Sequence, residues 1–549
     1  MIKRHWIVPT LIMLAASLPT GSAQAAITLP RVFGDYMVLQ RDMSAPIWGT
    51  AAPGETVTVK FRDQTKTATA DAQGTWRLAL DPLTAGGPDT LSVGTIVLKD
   101  VLVGEVWLGS GQSNMAQFVR QYPRDKEMVA LAADGNNQLR MLRQEPDARW
   151  EPSTPETNQM FSAQLFAFGC RLQEKLGVPV GLIVGAVGAT PSGSWIMPEM
   201  LKADADVQAL VAQMAPAYDR DGYQRAFDAE RKAWMAKKAA DDEEARKAGQ
   251  PAPRAGPSPT QPAVAVGGLH GGGQLGSLFE KHILPHAGFA IRGVLWDQGE
   301  SSTRIAGVDQ ATLMPALIKG WRAAWGQEFP FLYVQKPSGG GTAWDLDDPM
   351  HAAASKFVPQ PADVPTQFNP DLSWTEFRCR PRNIDREIWE QNTPEFSYDL
   401  HLKIMKTPGT FMVTSTDLGE GVHPQLKSAY GRRGADVALG AVYGKGNEIY
   451  GPLYAGHTVE GANVRVRFTH VGQGLAARHA DRLQGFLIAG AGKKFHWADA
   501  KIDGDTVVVS CPSVPTPVAV RYAWAPQFPW ANLFNKDGLP AQPFRTDEW

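Results

Sequence analysis

The feature that most constrains the fold is an apolar run that ends in a glycine-rich turn. Residues 101–108 read Val-Leu-Val-Gly-Glu-Val-Trp-Leu, and Gly109-Ser-Gly111 then precedes a small hydroxyl at Ser113. Such a run is typical of a strand buried on both faces of a parallel sheet, and ligands of open α/β sheets bind at the carboxyl ends of these strands. The run therefore predicts that Ser113 lies at a ligand-binding edge, although a GxSN motif alone is more typical of an ordinary turn and helix cap.

Further segments of the same kind follow along the chain. Apolar residues repeat at helical spacing from Phe161 to Gly177, where a glycine ends the pattern, and again from Leu313 to Trp325. Short apolar runs with the length of buried strands occupy residues 179–184, 291–296, 331–334 and 409–414. Strands that alternate with helices predict an α/β domain with a parallel, doubly wound sheet, which we place at residues 99–442.

Two segments with a different pattern flank this domain. Residues 26–98 and 443–549 contain short alternating runs separated by turn residues, which is typical of β-sandwich lobes. Two insertions interrupt the α/β domain: residues 203–265 combine a charged helix with a proline-rich stretch, and residues 336–405 lack periodicity. We expect the second insertion to contribute loops at the mouth of the site.

Residues 1–25 have the three parts of a secretory signal peptide. Lys3-Arg4-His5 supplies the charge, residues 6–18 the apolar core, and Ala23-Gln24-Ala25 the small-residue cleavage site. The core is too short to span a bilayer comfortably, and no later segment has a transmembrane pattern. We therefore expect cleavage after Ala25, export to the periplasm or the extracellular space, and no membrane span in the mature chain.

Charge and cysteine content exclude several classes of protein. The chain has 54 Lys and Arg against 56 Asp and Glu, a formal net charge of -2, and no basic run, so it lacks the electrostatic footprint of a nucleic-acid-binding protein. Three cysteines without CxxC spacing, and the lack of an HExxH motif or EF-hand loop, give no indication of a metal site. We expect no metal, no cofactor and no nucleic acid, and a small or neutral solute as the partner.

Two residues suggest nucleophilic catalysis. A serine hydroxyl needs a base that takes its proton, a group that orients the base, and donors that stabilise the oxyanion. Ser113 is the candidate nucleophile. His423 is the candidate base, because among the eleven histidines it is the one that follows a predicted strand and an acidic cluster, directly before Pro424. A lone histidine is as often a surface or core residue, so the hypothesis depends on both residues together.

Several sequence blocks follow one another in a characteristic order. They are Gly109-Ser-Gly-Gln-Ser-Asn-Met115, Val178-Pro-Val-Gly-Leu-Ile183 with Val187-Gly-Ala-Thr190 and Trp195, Val294-Leu-Trp-Asp-Gln-Gly-Glu-Ser301, and Asp417-Leu-Gly-Glu420 with Val422-His-Pro424 and Lys427. Together they resemble the SGNH-hydrolase branch that contains sialate O-acetylesterases and related carbohydrate acetyl esterases. Met37-Val-Leu-Gln40 and Asn532-Leu-Phe-Asn-Lys-Asp-Gly-Leu-Pro540 extend the resemblance to nearly the whole mature chain outside the two insertions.

The resemblance implies an SGNH-hydrolase fold, that is, a flavodoxin-like parallel sheet with helices on both faces, flanked by the N- and C-terminal β lobes. It implies Ser113 as nucleophile and His423 as base. The oxyanion donors would be the backbone amides of Ser113 and Gly188 and the side-chain amide of Gln298. The implied function is a sialate O-acetylesterase-like carbohydrate O-acetylesterase, which removes acetyl groups from mono- or oligosaccharides through a serine acyl-enzyme without a cofactor.

The chain departs from the family pattern at two places. Glu420 precedes His423 by three residues and is assigned the orienting role, because this spacing matches the DxxH arrangement of SGNH enzymes. Asp417, six residues before His423, is the alternative, and a Ser-His dyad is a third. Ala189 stands where the family tends to have the second glycine of Gly-Gly-Thr, so its methyl group would alter the leaving-group side of the pocket.

The sequence does not determine the glycan. Sialate and hemicellulose (xyloglucan or xylan) acetyl esterases share these blocks, and the near-neutral charge without an Arg cluster in the blocks favours a neutral glycan. Trp344, Trp374 and Trp389 are candidates for stacking on sugar rings, with core or lid packing as the alternative for each. The rivals from other classes are a non-catalytic glycan-binding protein, which has no need of a complete catalytic set, and a serine peptidase, for which no peptide cleft is indicated.

Overall fold

The computed structural model of the protein describes residues 26–549 apart from 254–257, 260, 272, 300, 337–340, 345–356, 358, 365–397, 420–422 and 526–527. The predicted signal peptide therefore lies outside the described residues, and so do Glu420, Trp374 and Trp389. Within the described ranges, no helix combines the length and the apolar character that a bilayer crossing requires.

The N-terminal strands lead into one long strand that belongs to two sheets. The strands are β1 (Val38–Gln40), β2 (Ala45–Thr50), β3 (Thr56–Phe61), β4 (Gln64–Thr69), β5 (Thr75–Leu80), β6 (Gly86–Val93) and β7 (Ile96–Gly111). The first part of β7 pairs with β6 and β1, and its last part pairs with strands of the α/β region. Burial changes accordingly, because most residues of β7 before Val101 are at least partly exposed and all those from Val101 onward are buried. The predicted boundary at 98/99 lies inside this strand.

The central sheet extends on both sides of β7. Its other strands are β8 (Asn136–Leu142), β9 (Trp150–Ser153), β10 (Val180–Ala186), β11 (Gly293–Asp297), β12 (Phe331–Val334) and β13 (Thr410–Val413). They lie in the order β9-β8-β10-β7-β11-β12-β13, and every pair is parallel except β8 with β9. Without the edge pair β8 and β9, the five remaining strands have the order 2-1-3-4-5, which is the flavodoxin-like order.

Helices cover both faces of the central sheet. Those described are α1 (Ser113–Ala116), α2 (Lys126–Ala133), α3 (Pro155–Gln159), α4 (Ala163–Leu176), α5 (Met200–Ala203), α6 (Ala205–Met214), α7 (Arg220–Lys247), α8 (Gln310–Trp325), α9 (Tyr398–Ile404) and α10 (Lys427–Ala441). Successive strand residues point to opposite faces. Accordingly, Leu295 of β11 belongs to the apolar core that includes α4 and α10, whereas its neighbour Trp296 belongs to the core that includes α8.

Local sequence signals explain why the two main helices begin and end where they do. α4 ends at Gly177, whose left-handed φ of 65° needs no Cβ, and its N-cap Ser162 accepts the amide of Leu165. α8 begins at Asp309, which caps Thr312, and ends at the left-handed Gly326. Both helices confirm the predicted patterns, because most apolar residues of the two stripes are buried and Leu176 is partly buried; the buried ones are Phe161, Leu165, Phe168, Leu172, Leu313, Leu317, Trp321 and Trp325.

The C-terminal residues form three antiparallel sheets. The strands are β14 (Leu453–Glu460), β15 (Asn463–Thr469), β16 (Leu475–Ala477), β17 (Phe486–Gly490), β18 (Phe495–Trp497), β19 (Asp499–Asp503), β20 (Thr506–Ser510), β21 (Pro517–Tyr522), β22 (Leu533–Asn535) and β23 (Phe544–Arg545). The sheet β14-β15-β20-β19 and the sheet β18-β17-β21-β23 share one apolar core, to which Val466 and Val509 contribute from the first and Ile488 and Tyr522 from the second.

The carboxylate of Glu105 joins the N-terminal strands to the central sheet. Glu105 lies on β7 with a fully buried side chain, and it accepts hydrogen bonds from Arg41 (2.6 Å), Arg292 (2.8 Å) and Gln40 (3.0 Å). Burial by itself raises the pKa of Glu105, but the bonds from Arg292, Arg41 and Gln40 outweigh it and hold the pKa below its usual value. The carboxylate is therefore an ion that the fold stabilises.

We expect Glu105→Gln to lower the free energy of unfolding by about 3 kcal/mol at pH 7, because it leaves two guanidinium groups without their buried partner. A carboxylate whose pKa is lower in the folded than in the unfolded state stabilises the protein at pH values above the unfolded-state pKa, which is 4.5 for Glu105. This contribution is lost as the pH falls through the folded-state pKa. The difference between the two proteins should therefore narrow below about pH 4.5. Urea denaturation at several pH values measures it.

The matched control is Glu460→Gln, which removes a carboxylate from the exposed pair with Arg465. This change should alter the free energy of unfolding by less than about 1 kcal/mol. Equal losses for the two variants would contradict the assigned importance of Glu105.

Candidate active site

Ser113 lies at the carboxyl edge of the central sheet, as predicted. β7 ends at Gly111, and Ser113 is the first residue of α1, with a half-buried side chain. Gly111 has a φ of 127°, and a Cβ there would lie 2.1 Å from the backbone oxygen of Asp297. The same oxygen accepts the amide of Gln112 at 2.9 Å. The turn that carries Ser113 is therefore fixed against the end of β11.

His423 approaches Ser113 from the loop that follows β13. Its Nε2 lies 2.8 Å from Oγ of Ser113, although the two residues are 310 positions apart in the sequence. This distance lies within the range for a nucleophile and its general base. The bond fits the tautomer that carries its proton on Nδ1, in which Oγ donates to Nε2. The imidazole is exposed, so a substrate has access to this pair from the solvent.

Gly188 lies against Ser113. It follows β10, it is exposed, and a Cβ at this position would lie 3.6 Å from Cβ of Ser113. The next residue, Ala189, has a left-handed φ of 59°, a conformation that disfavours residues with a Cβ. Thr190 closes the turn by donating to the oxygen of Val187 at 2.7 Å.

Gln298 links the loops after β10 and β11. Its side-chain amide is 5% exposed and donates to the backbone oxygens of Thr190 and Ser302, each at 3.2 Å. The same nitrogen lies 3.5 Å from Oε1 of Gln112, the residue directly before Ser113. Oε1 of Gln298 faces the amide of Gln310 at 3.4 Å. Gln298 is thus adjacent to the nucleophile turn, and its N–H groups are directed at carbonyl oxygens.

Asp417 and Glu420 are the two candidates for the residue that orients His423. Asp417 is buried and binds Arg433 through two hydrogen bonds of 3.2 and 3.0 Å. Glu420 lies outside the described residues. The bonds between Asp417 and Arg433 fit a structural ion pair, and the assignment of the orienting role to Glu420 stays a prediction.

The chain is similar to known sialate O-acetylesterases and to a solved carbohydrate acetylesterase. No family model matches it. It is 26% identical to the mouse (Mus musculus) sialate O-acetylesterase over 97% of both chains, and 25% identical to the human (Homo sapiens) sialate O-acetylesterase over 92% of this chain and 90% of the relative. Among solved structures, a carbohydrate acetylesterase from Xanthomonas citri matches with 28% identity and a TM-score of 0.67, covering 95% of this chain and 100% of that one.

The chain is a sialate O-acetylesterase-like esterase. The likeness extends over nearly the full length of both sets of relatives, so it includes the β strands at either end as well as the central sheet.

The esterase contains contacts near Ser113 that the sequence analysis did not predict. Lys427 is fully buried, its ammonium donates to Oδ1 of Asn114, and it lies 5.4 Å from the ring centre of Tyr122. Next to it, Ser428 donates its amide and its hydroxyl to the carboxylate of Asp125, at 2.9 and 2.7 Å. The bond of Lys427 attaches the start of α10, four residues after His423, to the turn that carries Ser113, and the bonds of Ser428 attach it to Asp125 at the start of α2. Lys427 belongs to one of the sequence blocks but had no role predicted for it, and Asp125 lies in a segment without a motif.

A buried ion pair lies below Gln298. The ammonium of Lys336 is 2.7 Å from Oδ1 of Asp297, and both side chains are almost fully buried. Because Asp297 also supplies the backbone oxygen that holds Gln112, this pair supports the turn from the side of β12. Within the described ranges, no three His, Cys, Asp or Glu side chains are placed to hold a metal ion.

Of the three tryptophans that are candidates for sugar stacking, only Trp344 lies within the described residues. It packs against C-terminal residues, with the Arg478 guanidinium 3.8 Å from its ring centre and the Phe534 ring 5.3 Å away. These contacts favour the packing alternative for Trp344. The roles suggested for Trp374 and Trp389 stay predictions.

We expect Gly188→Ala to fold normally but to lower esterase turnover about 10- to 100-fold. The new methyl group would make only ordinary contact with Ser113, 3.6 Å from its Cβ, and Gly188 is not in a left-handed conformation. It would, however, occupy space where an ester carbonyl must approach Oγ. Hydrolysis of 4-nitrophenyl acetate and the melting temperature measure the two effects separately.

Gly177→Ala is the control for the loss of a glycine. This residue caps α4 with a φ of 65° and a Cβ there meets no atom within 4 Å, so the change should reduce stability without altering turnover. A Gly188→Ala protein with unchanged turnover would exclude Gly188 from the reacting centre.

Proposed function

We propose that this esterase removes O-acetyl groups from sugar hydroxyls by way of a serine acyl-enzyme. The observation that carries the proposal is the 2.8 Å contact between Oγ of Ser113 and Nε2 of His423, which join the ends of two different strands of one sheet. The names of the relatives, sialate O-acetylesterase and carbohydrate acetylesterase, support acetylated sugars as the substrate class. The sialate and hemicellulose alternatives differ only in the sugar.

Ser113 and His423 carry the covalent steps in this proposal. Oγ of Ser113 attacks the acetyl carbonyl carbon while Nε2 of His423 takes the hydroxyl proton. The bond between the carbonyl carbon and the sugar oxygen then breaks, and His423 gives the proton to that oxygen. A water molecule, deprotonated by His423, attacks the acyl-enzyme, which releases acetate and returns the proton to Ser113.

The oxyanion of the tetrahedral intermediate would lie on the side of the β10 and β11 loops. The proposed donors are the backbone amides of Ser113 and Gly188 and the side-chain amide of Gln298. The close approach of Gly188 to Ser113 supports the first two. For Gln298, the 3.5 Å distance between its Nε2 and Oε1 of Gln112 supports a donor next to the turn that carries Ser113. To bind the oxyanion, the side-chain amide of Gln298 must give up a hydrogen bond to the oxygen of Thr190 or Ser302.

We further propose Glu420 as the group that orients His423, with Asp417 as the alternative. The wider organisation proposed is an SGNH-hydrolase domain at 99–442, with insertions at about 203–265 and 336–405, flanked by β-sandwich lobes at 26–98 and 443–549. The signal-peptide pattern of residues 1–25 supports export to the periplasm or the extracellular space.

Replacing Ser113 by Ala should lower acetate release at least about 1000-fold, because it removes the atom that forms the acyl-enzyme. The test uses 4-nitrophenyl acetate and acetylated xylan as substrates and measures acetate directly. Ser110→Ala is the matched control, since this hydroxyl lies three residues earlier, near the end of β7, and donates to the oxygen of Gly185; it should retain activity within a few-fold. Wild-type protein that binds glycans but releases no acetate would favour the glycan-binding alternative.

Replacing Gln298 by Ala should reduce kcat about 100-fold with a smaller effect on KM, because an oxyanion donor acts mainly in the transition state. Steady-state kinetics with 4-nitrophenyl acetate separate the two parameters. A rise in KM at constant kcat would reject the donor role.

A further inference from the structure

The turn after β10 holds Gly188 next to Ser113. It begins at Val187, whose amide donates to the oxygen of Gly111, the last residue of β7, at 3.1 Å. Gly111 lies two residues before Ser113, and a Cβ at Gly188 would lie 3.6 Å from Cβ of Ser113. The shape of this turn therefore decides where the backbone amide of Gly188 lies relative to Ser113.

The turn has a backbone conformation that one of its residues does not favour. Ala189 has a left-handed φ of 59°, a region that glycine adopts readily and that is disfavoured for a residue with a Cβ. Gly188 and Ala189 are both exposed, so the burial of these residues does not hold the conformation. Hydrogen bonds made by neighbouring residues must hold it instead.

The hydroxyl of Thr190 supplies such bonds. Its Oγ1 donates to the oxygen of Val187 at 2.7 Å, which joins the last residue of the turn to the first. The same oxygen accepts the indole N–H of Trp195 at 3.0 Å. Trp195 is fully buried and its ring packs against that of Trp296, with 6.0 Å between the ring centres, so the indole is a fixed donor. The hydroxyl thus connects the turn to the apolar core that includes α8.

The backbone of Thr190 contacts the side chain of another proposed oxyanion donor. Its oxygen accepts the side-chain amide of Gln298 at 3.2 Å, and the oxygen of Ser302 accepts the same amide at the same distance. Since both neighbours are acceptors, they fix the direction of the N–H groups of Gln298. Thr190 therefore contacts the turn of Gly188 through its side chain and Gln298 through its main chain.

We propose that Thr190 is a positioning residue of the esterase, whose hydroxyl holds the strained turn so that the amide of Gly188 is directed at the developing oxyanion. The inference rests on the proposed oxyanion role of Gly188, and Thr190 itself touches no reacting atom. Without the hydroxyl, Ala189 relaxes from its left-handed conformation and the amide of Gly188 moves away from the acetyl oxygen.

The decisive variant is Thr190→Val, which keeps the size and branching of the side chain and removes the hydroxyl. Its kcat for 4-nitrophenyl acetate should fall about 10- to 100-fold while KM changes less than about threefold, because a displaced oxyanion donor acts mainly in the transition state. Thr190→Ser retains the hydroxyl and should keep kcat within about threefold of the wild-type value. Circular dichroism and the melting temperature establish that both variants are folded.

Thr506→Val is the matched control. The hydroxyl of Thr506 donates to the oxygen of Asp503 at 2.7 Å, which is the same sequence spacing and the same distance as between Thr190 and Val187. This bond closes the turn between β19 and β20 in the C-terminal strands. Its loss should change neither kcat nor KM.

A second test adds Ala189→Gly to the Thr190→Val protein. Glycine adopts the left-handed conformation without strain, so the double variant should regain at least about threefold of the lost kcat. Ala189→Gly alone is its control and should alter kcat by less than about threefold, because the hydroxyl of Thr190 still holds the turn.

Four results would overturn the assignment: an unchanged kcat in Thr190→Val, a rise in KM at constant kcat, an equal loss of kcat in Thr190→Ser, or no recovery in the double variant. None of them touches the proposed esterase function, which stands as long as Ser113→Ala abolishes acetate release. Unchanged turnover in Gly188→Ala would instead remove the role of Gly188 on which this inference rests.

Discussion

No side chain fits at Gly111, and the placement of the candidate catalytic groups depends on this constraint. With a hydrogen in place of Cβ, the end of β7 can approach the backbone of Asp297 closely enough for Gln112 to donate to it. The nucleophile turn is thereby fixed between the loops that carry Gly188 and Gln298. Lys427 at the start of α10 bonds to Asn114 in the same turn, so contacts from both β11 and α10 position Ser113.

Much of the central sheet could be predicted because its strands are buried on both faces. Such strands are apolar runs of characteristic length, and β7, β10, β11, β12 and β13 all occupy the predicted segments. The sequence analysis did not predict β8 and β9, because these strands lack such a continuous apolar run. β8 begins with Asn136-Asn-Gln and lies near the sheet edge, so half of it carries polar residues and no apolar run distinguishes it from a loop. Its existence depends on pairing with β10, which is a tertiary effect.

The candidate site likewise combines residues that the sequence could predict with contacts that it could not. Ser113 and His423 could be chosen because each follows a strand, and strand ends meet at one edge of a parallel sheet, whereas Gly188 and Gln298 were implied by the family resemblance of their sequence blocks. The individual contacts of these residues could not be predicted, since such contacts depend on which side chains the packing brings together. Gln298 is directed at two carbonyl oxygens, Asp417 is bound by Arg433, and Lys427 is buried against Asn114. None of these pairs has a spacing in sequence that would predict it.

The continuity of β7 has a mechanical consequence. Because one strand pairs with β6 in its first part and with β10 and β11 in its last, no loop separates the N-terminal strands from the catalytic sheet. A hinge needs a few residues whose backbone can change direction, and a strand with hydrogen bonds along its length cannot provide them. The N-terminal strands thus behave as a rigid extension of the sheet. Their backbone amides should exchange with solvent only in the unfolding events that also open the catalytic sheet.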